Sequence, residues 1–506
     1  MSVSSNLHSR WLVLIAVMLA FLPVVLDMTI LHVAVPSLTQ SLEASGNEVL
    51  WIIDIYPLLM AGLLVPMGTL ADRLGNRRVL LTGLVIFGLA SFWAAFAESA
   101  PQLIAARVVL ALGGSMIMPC VLGIIRKTFE DDAERAMALG LWGTVGAAGA
   151  AVGPLVGGAL LAHFWWGSVF LINVPVMLVV APAGYFLLPS TEKTVPGRWP
   201  IGQALLLIVG MISLVYGIKA GFAGKQTVPM VLTALLIGVG ALALFVRQQL
   251  KSASPMLDLS LLTHPAIIAG LMMAIIASGA LAGVELTLAQ ELQYVLDKTP
   301  LQAGVFMIPI MAAAAIGGPI AGFLSNRFGL RRVATLALAV AACALIYLAR
   351  SDFHDPGLVV PTALAVLGLS LSIALTASSI AIMGSVDASK GAAAGSLEAT
   401  GYELGTGMGI TLFGVFMSSV FSRAITLPSE LSANLATQAS RTIGDTYIVA
   451  HQLDPQLGAA LIAAGKVAFS QAHTQLLTAA GILIAALSGV VFMTLKGQQV
   501  ASKAHP

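Results

Sequence analysis

Fourteen long apolar stretches, each parted from the next by a short polar break, run along the chain. They lie near 11–35, 49–70, 79–97, 102–125, 137–162, 166–188, 201–218, 228–246, 265–290, 303–324, 333–349, 357–384, 393–421 and 474–495. Each approaches the roughly 20 residues an α-helix needs to cross a bilayer. The pattern predicts fourteen membrane-spanning helices and leaves no soluble domain. The first stretch follows a short head containing Arg10, as a signal peptide does. It continues past Asp27 to Pro36 without an obvious small-x-small cleavage site, so it is expected to remain as a helix. One polar interval, about Ser422 to His473, exceeds an ordinary connection. Leu427, Leu431 and Leu435, then Leu457, Leu461 and Ile462, have helix-like spacing there. This predicts an amphipathic helical hairpin on the outer surface, over about 422–473.

Composition agrees with a membrane chain. Of 506 residues 58% are hydrophobic and 9% charged, with 50 glycines, and the mean hydropathy is +0.95. Soluble domains carry about 25% charged residues, so a water-soluble protein is excluded. Two cysteines, Cys120 and Cys343, both in apolar runs, exclude a disulfide scaffold. The net charge of +2 gives no reason to expect a nucleic-acid partner. The positions of the few charges are more informative. Of the 25 Lys and Arg, seventeen fall on the face that includes the N-terminus and seven on the opposite face, leaving Arg107 within a span. An even number of spans puts both termini on one side, and the basic excess makes that side cytoplasmic.

The chain also repeats itself. Gly68-Thr-Leu-Ala-Asp-Arg-Leu-Gly-Asn-Arg-Arg78 follows the second stretch and Gly322-Phe-Leu-Ser-Asn-Arg-Phe-Gly-Leu-Arg-Arg332 the tenth. They share glycine at positions one and eight and arginine at six, ten and eleven. The spacing fits two six-helix halves of like orientation with a helix pair inserted between them, a construction found in secondary transporters. The expected domains are a bundle at 1–190, an inserted pair with linkers at 191–260, and a second bundle with the outer hairpin at 261–506.

These motifs resemble those of the major facilitator superfamily, and more narrowly its fourteen-helix drug:proton antiporters. Gly68–Arg78 follows the superfamily loop pattern GxLaDrxGxrr, built on Gly68, Asp72, Arg73, Gly75, Arg77 and Arg78. Gly149, Gly153, Pro154, Gly157 and Gly158 fit the antiporter pattern gxxxGPxxGG. Leu26-Asp27-Met-Thr29-Ile-Leu-His32-Val-Ala-Val-Pro36 fits the first-helix signature LDxTvxNvAlP, with His32 in place of asparagine. Leu103–Arg107 with Gly113 and Gly114, Trp51–Tyr56 and Phe170–Pro175 also fit that branch. Asn326 replaces the aspartate of the second loop motif. The chain is similar throughout to quaternary-ammonium and methyl viologen efflux pumps of the QacA/SmvA type. That resemblance implies a major facilitator fold, an all-α integral membrane protein of two six-helix bundles plus two inserted helices. It also implies a monomer in the bacterial cytoplasmic (inner) membrane, driven by the proton gradient with no cofactor.

An ionisable group at the bilayer centre costs at least ~2.5–3.5 kcal/mol, so each one calls for a reason. Asp27, Asp54, Glu285, Glu398 and Glu403 lie within the stretches, with Glu291 near an outer end as a solvated end charge. Asp27 lies deep in the first and is the leading candidate for proton coupling. Asp54 reads either as a vestibule acid or as an interfacial residue beside Trp51 and Tyr56. Glu398 and Glu403 share a glycine-rich stretch where helices can approach closely. Five residues apart, they point about 140° from each other on an ideal helix. Related drug pumps carry acids here that resemble substrate-recognition sites, and Glu285 is a further candidate. The resemblance implies that Arg107 helps set proton binding, opposite Asp27; the alternative is a structural hydrogen-bonding post. Tyr56, Trp142 and Tyr402 are candidates to hold a quaternary ammonium over a ring face, worth ~0.5–2 kcal/mol, although aromatics are also ordinary filler in membrane helices. Pro154 removes a backbone hydrogen bond among small residues, and the resemblance implies a hinge or seal there. It likewise implies an ionic latch at Asp72, Arg73, Arg77 and Arg78.

The expected function is exchange of lipophilic mono- and divalent cations for protons: quaternary ammonium biocides, cationic dyes, methyl viologen and biguanides. The rivals are an exporter of a neutral or anionic metabolite and a non-transporting sensor. No HExxH is present, and neither Gly224-Lys225 nor Gly465-Lys466 completes a P-loop. An enzyme or an ATP-driven pump is therefore not expected.

Overall fold

The computed structural model describes residues 2–189, 194, 196–223, 226–385 and 391–496. Lys193, Lys225, Lys390 and Lys503, and the side chains of Arg126 and Arg135, lie outside the described residues. The elements are α1 (Ser2–Leu42), α2 (Gly46–Leu74), α3 (Asn76–Ala95), α4 (Ala100–Thr128), α5 (Asp132–His163), α6 (Ser168–Leu171), α7 (Asn173–Leu187), α8 (Ile201–Ala223) and α9 (Val228–Lys251). They continue with α10 (Pro265–Gln290), α11 (Pro300–Phe306), α12 (Ile308–Phe328), α13 (Leu330–Ala349), α14 (Val359–Met383), α15 (Gly391–Ala424), α16 (Ala433–Ala439), α17 (Ile443–Ala450) and α18 (Pro455–Thr494). A π turn, Glu291–Val295, extends α10. Among the described residues there is no strand. Among the described residues thirteen helical segments are long and apolar enough to span a membrane, and Ala148–His163 of α5 supplies a shorter fourteenth. The molecule is an all-α membrane protein with the expected number of spans.

Local chemistry sets several helix starts. Ser99 caps α4 by accepting from the Gln102 amide, with Pro101 in the first turn. Thr299 and Gln302 form a reciprocal capping box at α11. The repeated loop motif has a backbone reason for its eighth position. Gly75 and Gly329 begin α3 and α13 at φ 97° and 89° with ψ 140° and 147°, conformations open to glycine and costly for any other residue. A Cβ on Gly329 would meet no atom within 4 Å, so its cost is purely conformational. Gly329→Ala and Gly75→Ala are each expected to lose ~1–3 kcal/mol, read as a lower thermal midpoint of the purified protein.

The chain forms two compact units. The first comprises Met1–Thr29, Ile55–Gly153 and Gly167–Leu259. In it α3 packs on α4 through Gly83 and Gly113, and Gly149 of α5 faces Leu22 and Val25 of α1. α8 and α9 pack on each other through Gly210, Gly217 and Gly238. They expose Leu205, Leu232, Leu236 and Val239, as helices that face lipid should.

The second unit comprises Ile30–Asp54, Pro154–Trp166 and Ser260–Pro506. α10 and α15 cross at near backbone contact, where a Cβ on Gly409 would strike Gly279 and one on Gly405 would strike Ile275. The end of α5 is packed equally closely. Gly157 faces Ile30 and Val33, Gly158 faces Pro300–Leu301, and Gly304 of α11 faces Pro154. Gln40 donates to the Gly444 carbonyl at 3.1 Å and Gln293 to the Val33 carbonyl at 3.0 Å.

The outer segment differs from the expected hairpin. Leu427, Leu431, Leu435 and Ile462 gather round a core of Ala439, Val449, Ala450 and Leu461. However, Leu457, Leu461 and Ile462 belong to α18, which runs unbroken into the last span. The second arm of the hairpin is thus an extension of a span, because Pro455 starts a helix that no later residue stops.

Candidate functional site

In the first unit, Asp27 of α1 and Arg107 of α4 are each 1% exposed. Arg107 Nη1 donates to Asp27 Oδ2, and the guanidinium lies 4.6 Å over the Tyr56 ring. A buried guanidinium stays charged, so the carboxylate and the ring face together compensate it. Tyr56 is fully buried and gives one ring face to Arg107. Gly114 leaves room for its hydroxyl, which a Cβ there would approach to 2.9 Å. Asp27 Oδ1 has no hydrogen-bond partner among the described residues. Trp142 is half-buried, its ring tilted against Phe21 with centroids 5.1 Å apart.

The second unit holds the other acids. Asp54 is fully buried, and Thr411 Oγ1 donates to its Oδ2 at 2.6 Å. Glu403 is 2% exposed, with Oε2 unpartnered among the described residues. Glu398 is half-buried and accepts from Ser379 of α14 at 3.1 Å. Tyr402 is 37% exposed and lies within electrostatic reach of both Glu403 and Glu285. Glu285 is itself 3% exposed, its Oε2 3.8 Å from Nε2 of His32. The structure therefore groups Asp27, Arg107 and Tyr56 in one unit, and Glu285, Tyr402 and Glu403 in the other, with Glu398 turned toward α14.

Residues 17–410 match the family model of the Major Facilitator Superfamily. The chain belongs to that superfamily. It is 45% identical over 491 residues to the methyl viologen resistance protein SmvA of Salmonella typhimurium, covering 97% of this chain and 99% of that protein. It is 32% identical over 481 residues to the multidrug efflux pump LfrA of Mycolicibacterium smegmatis, covering 95% of each. Its fold matches the crystal structure of a bacterial homolog to the human lysosomal transporter Spinster, inward-facing and unoccupied. The TM-score is 0.68 at 18% identity, over 96% of this chain and 97% of that one. This major facilitator is a multi-pass membrane transporter rather than an enzyme.

The superfamily motifs take clear positions in the first unit. Arg73 donates to the Pro196 carbonyl and Arg77 to the Tyr185 carbonyl, each at 2.8 Å. Arg77 also lies 4.8 Å over the Tyr185 ring. Arg77 holds a main-chain carbonyl within the last turn of α7 and Arg73 one beyond that helix, while Asp72 and Arg78 are exposed. A Cβ on Gly68 would sit 3.7 Å from Pro119 of α4, in ordinary contact. Of the α5 motif, Gly149 and Gly153 fall in the first unit, and Pro154, Gly157 and Gly158 in the second.

Two sequence expectations for this transporter need correction. Glu291 is not a solvated end charge. It is 4% exposed, accepts from Ser470 at 2.9 Å, and lies 3.6 Å from His473 Nδ1. The apolar segment Pro265–Val295, 31 residues long, already signalled that Glu291 falls inside it. Nor is Arg107 the one cation within a span. Lys219 is 3% exposed within Ile201–Gly221, a helix that runs past the expected boundary. His32, noted only as a departure from the branch signature, stands out as the partner of Glu285.

Proposed function

We propose that this transporter is a proton-coupled antiporter that expels lipophilic mono- and divalent cations: quaternary ammonium biocides, cationic dyes, methyl viologen and biguanides. It would act in the bacterial inner membrane as a monomer with both termini in the cytoplasm, drawing on the proton gradient and on no cofactor. The drug-efflux part follows the names of its relatives, SmvA and LfrA. The observation that carries the proton part is the buried Asp27–Arg107 contact.

In this reading a proton enters on Asp27 Oδ1, the oxygen Arg107 leaves unpartnered. A neutral carboxyl no longer balances the guanidinium, so the charge left behind repels a bound cation and favours its release. When Asp27 gives the proton up on the cytoplasmic side, its charge again balances Arg107 and a new cation can bind. Glu398 and Glu403 supply charge for that cation, and the part-exposed ring of Tyr402 a face for it. In the first unit Trp142, beside Phe21, is a further aromatic surface a cation could use. One proton per monovalent cation would be electroneutral and would use the pH gradient alone.

The test uses everted vesicles with an imposed pH gradient. Adding a cationic substrate should release protons from the vesicle lumen, and adding a neutral drug should not. Glu403→Gln is expected to weaken half-saturation by a dication about tenfold, the size of one ~1.4 kcal/mol charge interaction, with a smaller effect on a monocation. Proton movement that is indifferent to every cation would sink the proposal.

A further inference from the structure

We infer that His32 and Glu285 form a second proton-carrying pair, so that one transport cycle moves two protons. This rests on the antiport reading above and deepens it. The pair joins α1 to α10 with Nε2 and Oε2 3.8 Å apart, and both side chains are buried. Gln293, two turns beyond Glu285, donates to the carbonyl of Val33, the neighbour of His32, and anchors the two helices at that point. A lone ionised carboxylate within a span is costly. Beside an imidazole, the two groups together carry one negative charge without a proton and none with one, whichever of them holds it. Occupancy of the pair is therefore a change of one elementary charge.

The titratable groups of the surrounding elements leave this role to His32. α15 presents Tyr402 and Glu403, a phenol and an acid. α14 has no titratable residue. On α18, Lys466 is paired with Asp297 and His473 lies against Glu291. On α2, Asp54 takes the Thr411 hydroxyl and Glu48 the Ser45 amide. In the π turn, Glu291 takes Ser470 and the Tyr294 hydroxyl takes Gln40. In chemical terms, one proton from the external water forms an N–H or O–H bond on the pair. The same proton is later given up to water on the cytoplasmic side, and no other bond changes.

Two protons against one monovalent cation move one net charge, and two protons against a dication move none. In everted vesicles without a pH gradient, an inside-positive potential of about 100 mV should drive ethidium accumulation about 50-fold at equilibrium. It should leave methyl viologen accumulation unchanged. In Glu285→Gln and His32→Asn, one proton would remain. Ethidium should then accumulate only on a pH gradient, more slowly than in the wild type, and the same potential should oppose methyl viologen. Membrane levels and thermal midpoints of both variants establish that they fold. The inference is overturned if the wild type shows no potential response with ethidium, if both folded variants keep the wild-type response, or if both lose all exchange. Failure of the antiport reading is distinct, because then no cation moves protons at all.

Discussion

Asp27→Asn is expected to reduce proton-driven cation accumulation in vesicles to background, and Arg107→Met to lower folded stability by ~3–5 kcal/mol. The amide keeps the shape of Asp27 and can accept from Arg107, but it cannot cycle between charged and neutral, so coupling is lost while the helices remain packed. Arg107→Met is different in kind. It leaves the Asp27 carboxylate buried without its cation, and removing one partner of a buried ion pair costs that much. It also uncovers the face of Tyr56 that the guanidinium occupies. The double variant Asp27→Asn/Arg107→Met removes the orphaned charge and should recover much of the stability lost by Arg107→Met alone, yet transport nothing. Non-additivity of this kind is expected of residues in direct contact, and thermal unfolding of the three purified variants measures it. If Asp27→Asn exchanged cations for protons at the wild-type rate, the central role given to this carboxyl would be wrong.

Gly409→Leu is expected to abolish recovery of folded protein, and Gly409→Ala to cost ~1–3 kcal/mol. A Cβ at Gly409 would fall onto the backbone of Gly279, and one at Gly405 onto Ile275 and Ser278. Neither contact can be relieved by turning a side chain, because the obstacle is main chain, so α10 and α15 would have to move apart. They carry Glu285 and Glu403, so even the tolerated alanine should disturb transport. Gly322 and Gly489 are the controls. A Cβ at either would meet no atom within 4 Å, and alanine there should stabilise its helix by ~0.5–1 kcal/mol. Yield of monodisperse protein and its thermal midpoint distinguish the two classes. Equal effects at Gly409 and Gly489 would mean that backbone contact is not the reason for the glycine.

How well the sequence could be read depended on whether a feature is local. Apolar length fixes a span residue by residue, so the helix count was available in advance. The repeated loop motif was legible for the same reason, since its eighth glycine answers to its own φ angle at Gly75 and Gly329. Asp27 stood out because a carboxylate deep in an apolar run is costly wherever the helix packs. The misread residues were those at span ends. Glu291 and Lys219 were assigned to water because a boundary read from hydropathy is uncertain by a turn or more, enough to move a side chain from solvent to core. The outer hairpin failed in the same way, its second arm proving continuous with α18.

By itself, then, the sequence determined that the chain lies in a membrane, how many times it crosses, and which few ionisable residues lipid should exclude. Those follow from the free energy of transferring one segment or one group, which needs no partner. Partnership was decided only by the tertiary structure. It set Arg107 on both Asp27 and the ring of Tyr56, gave Asp54 to Thr411, turned Glu398 to Ser379, and brought His32 against Glu285. These partners lie from 19 to 357 residues apart in the chain and meet only because separate helices pack side by side. A charge buried in lipid is tolerable according to what stands beside it, and that is a property of packing.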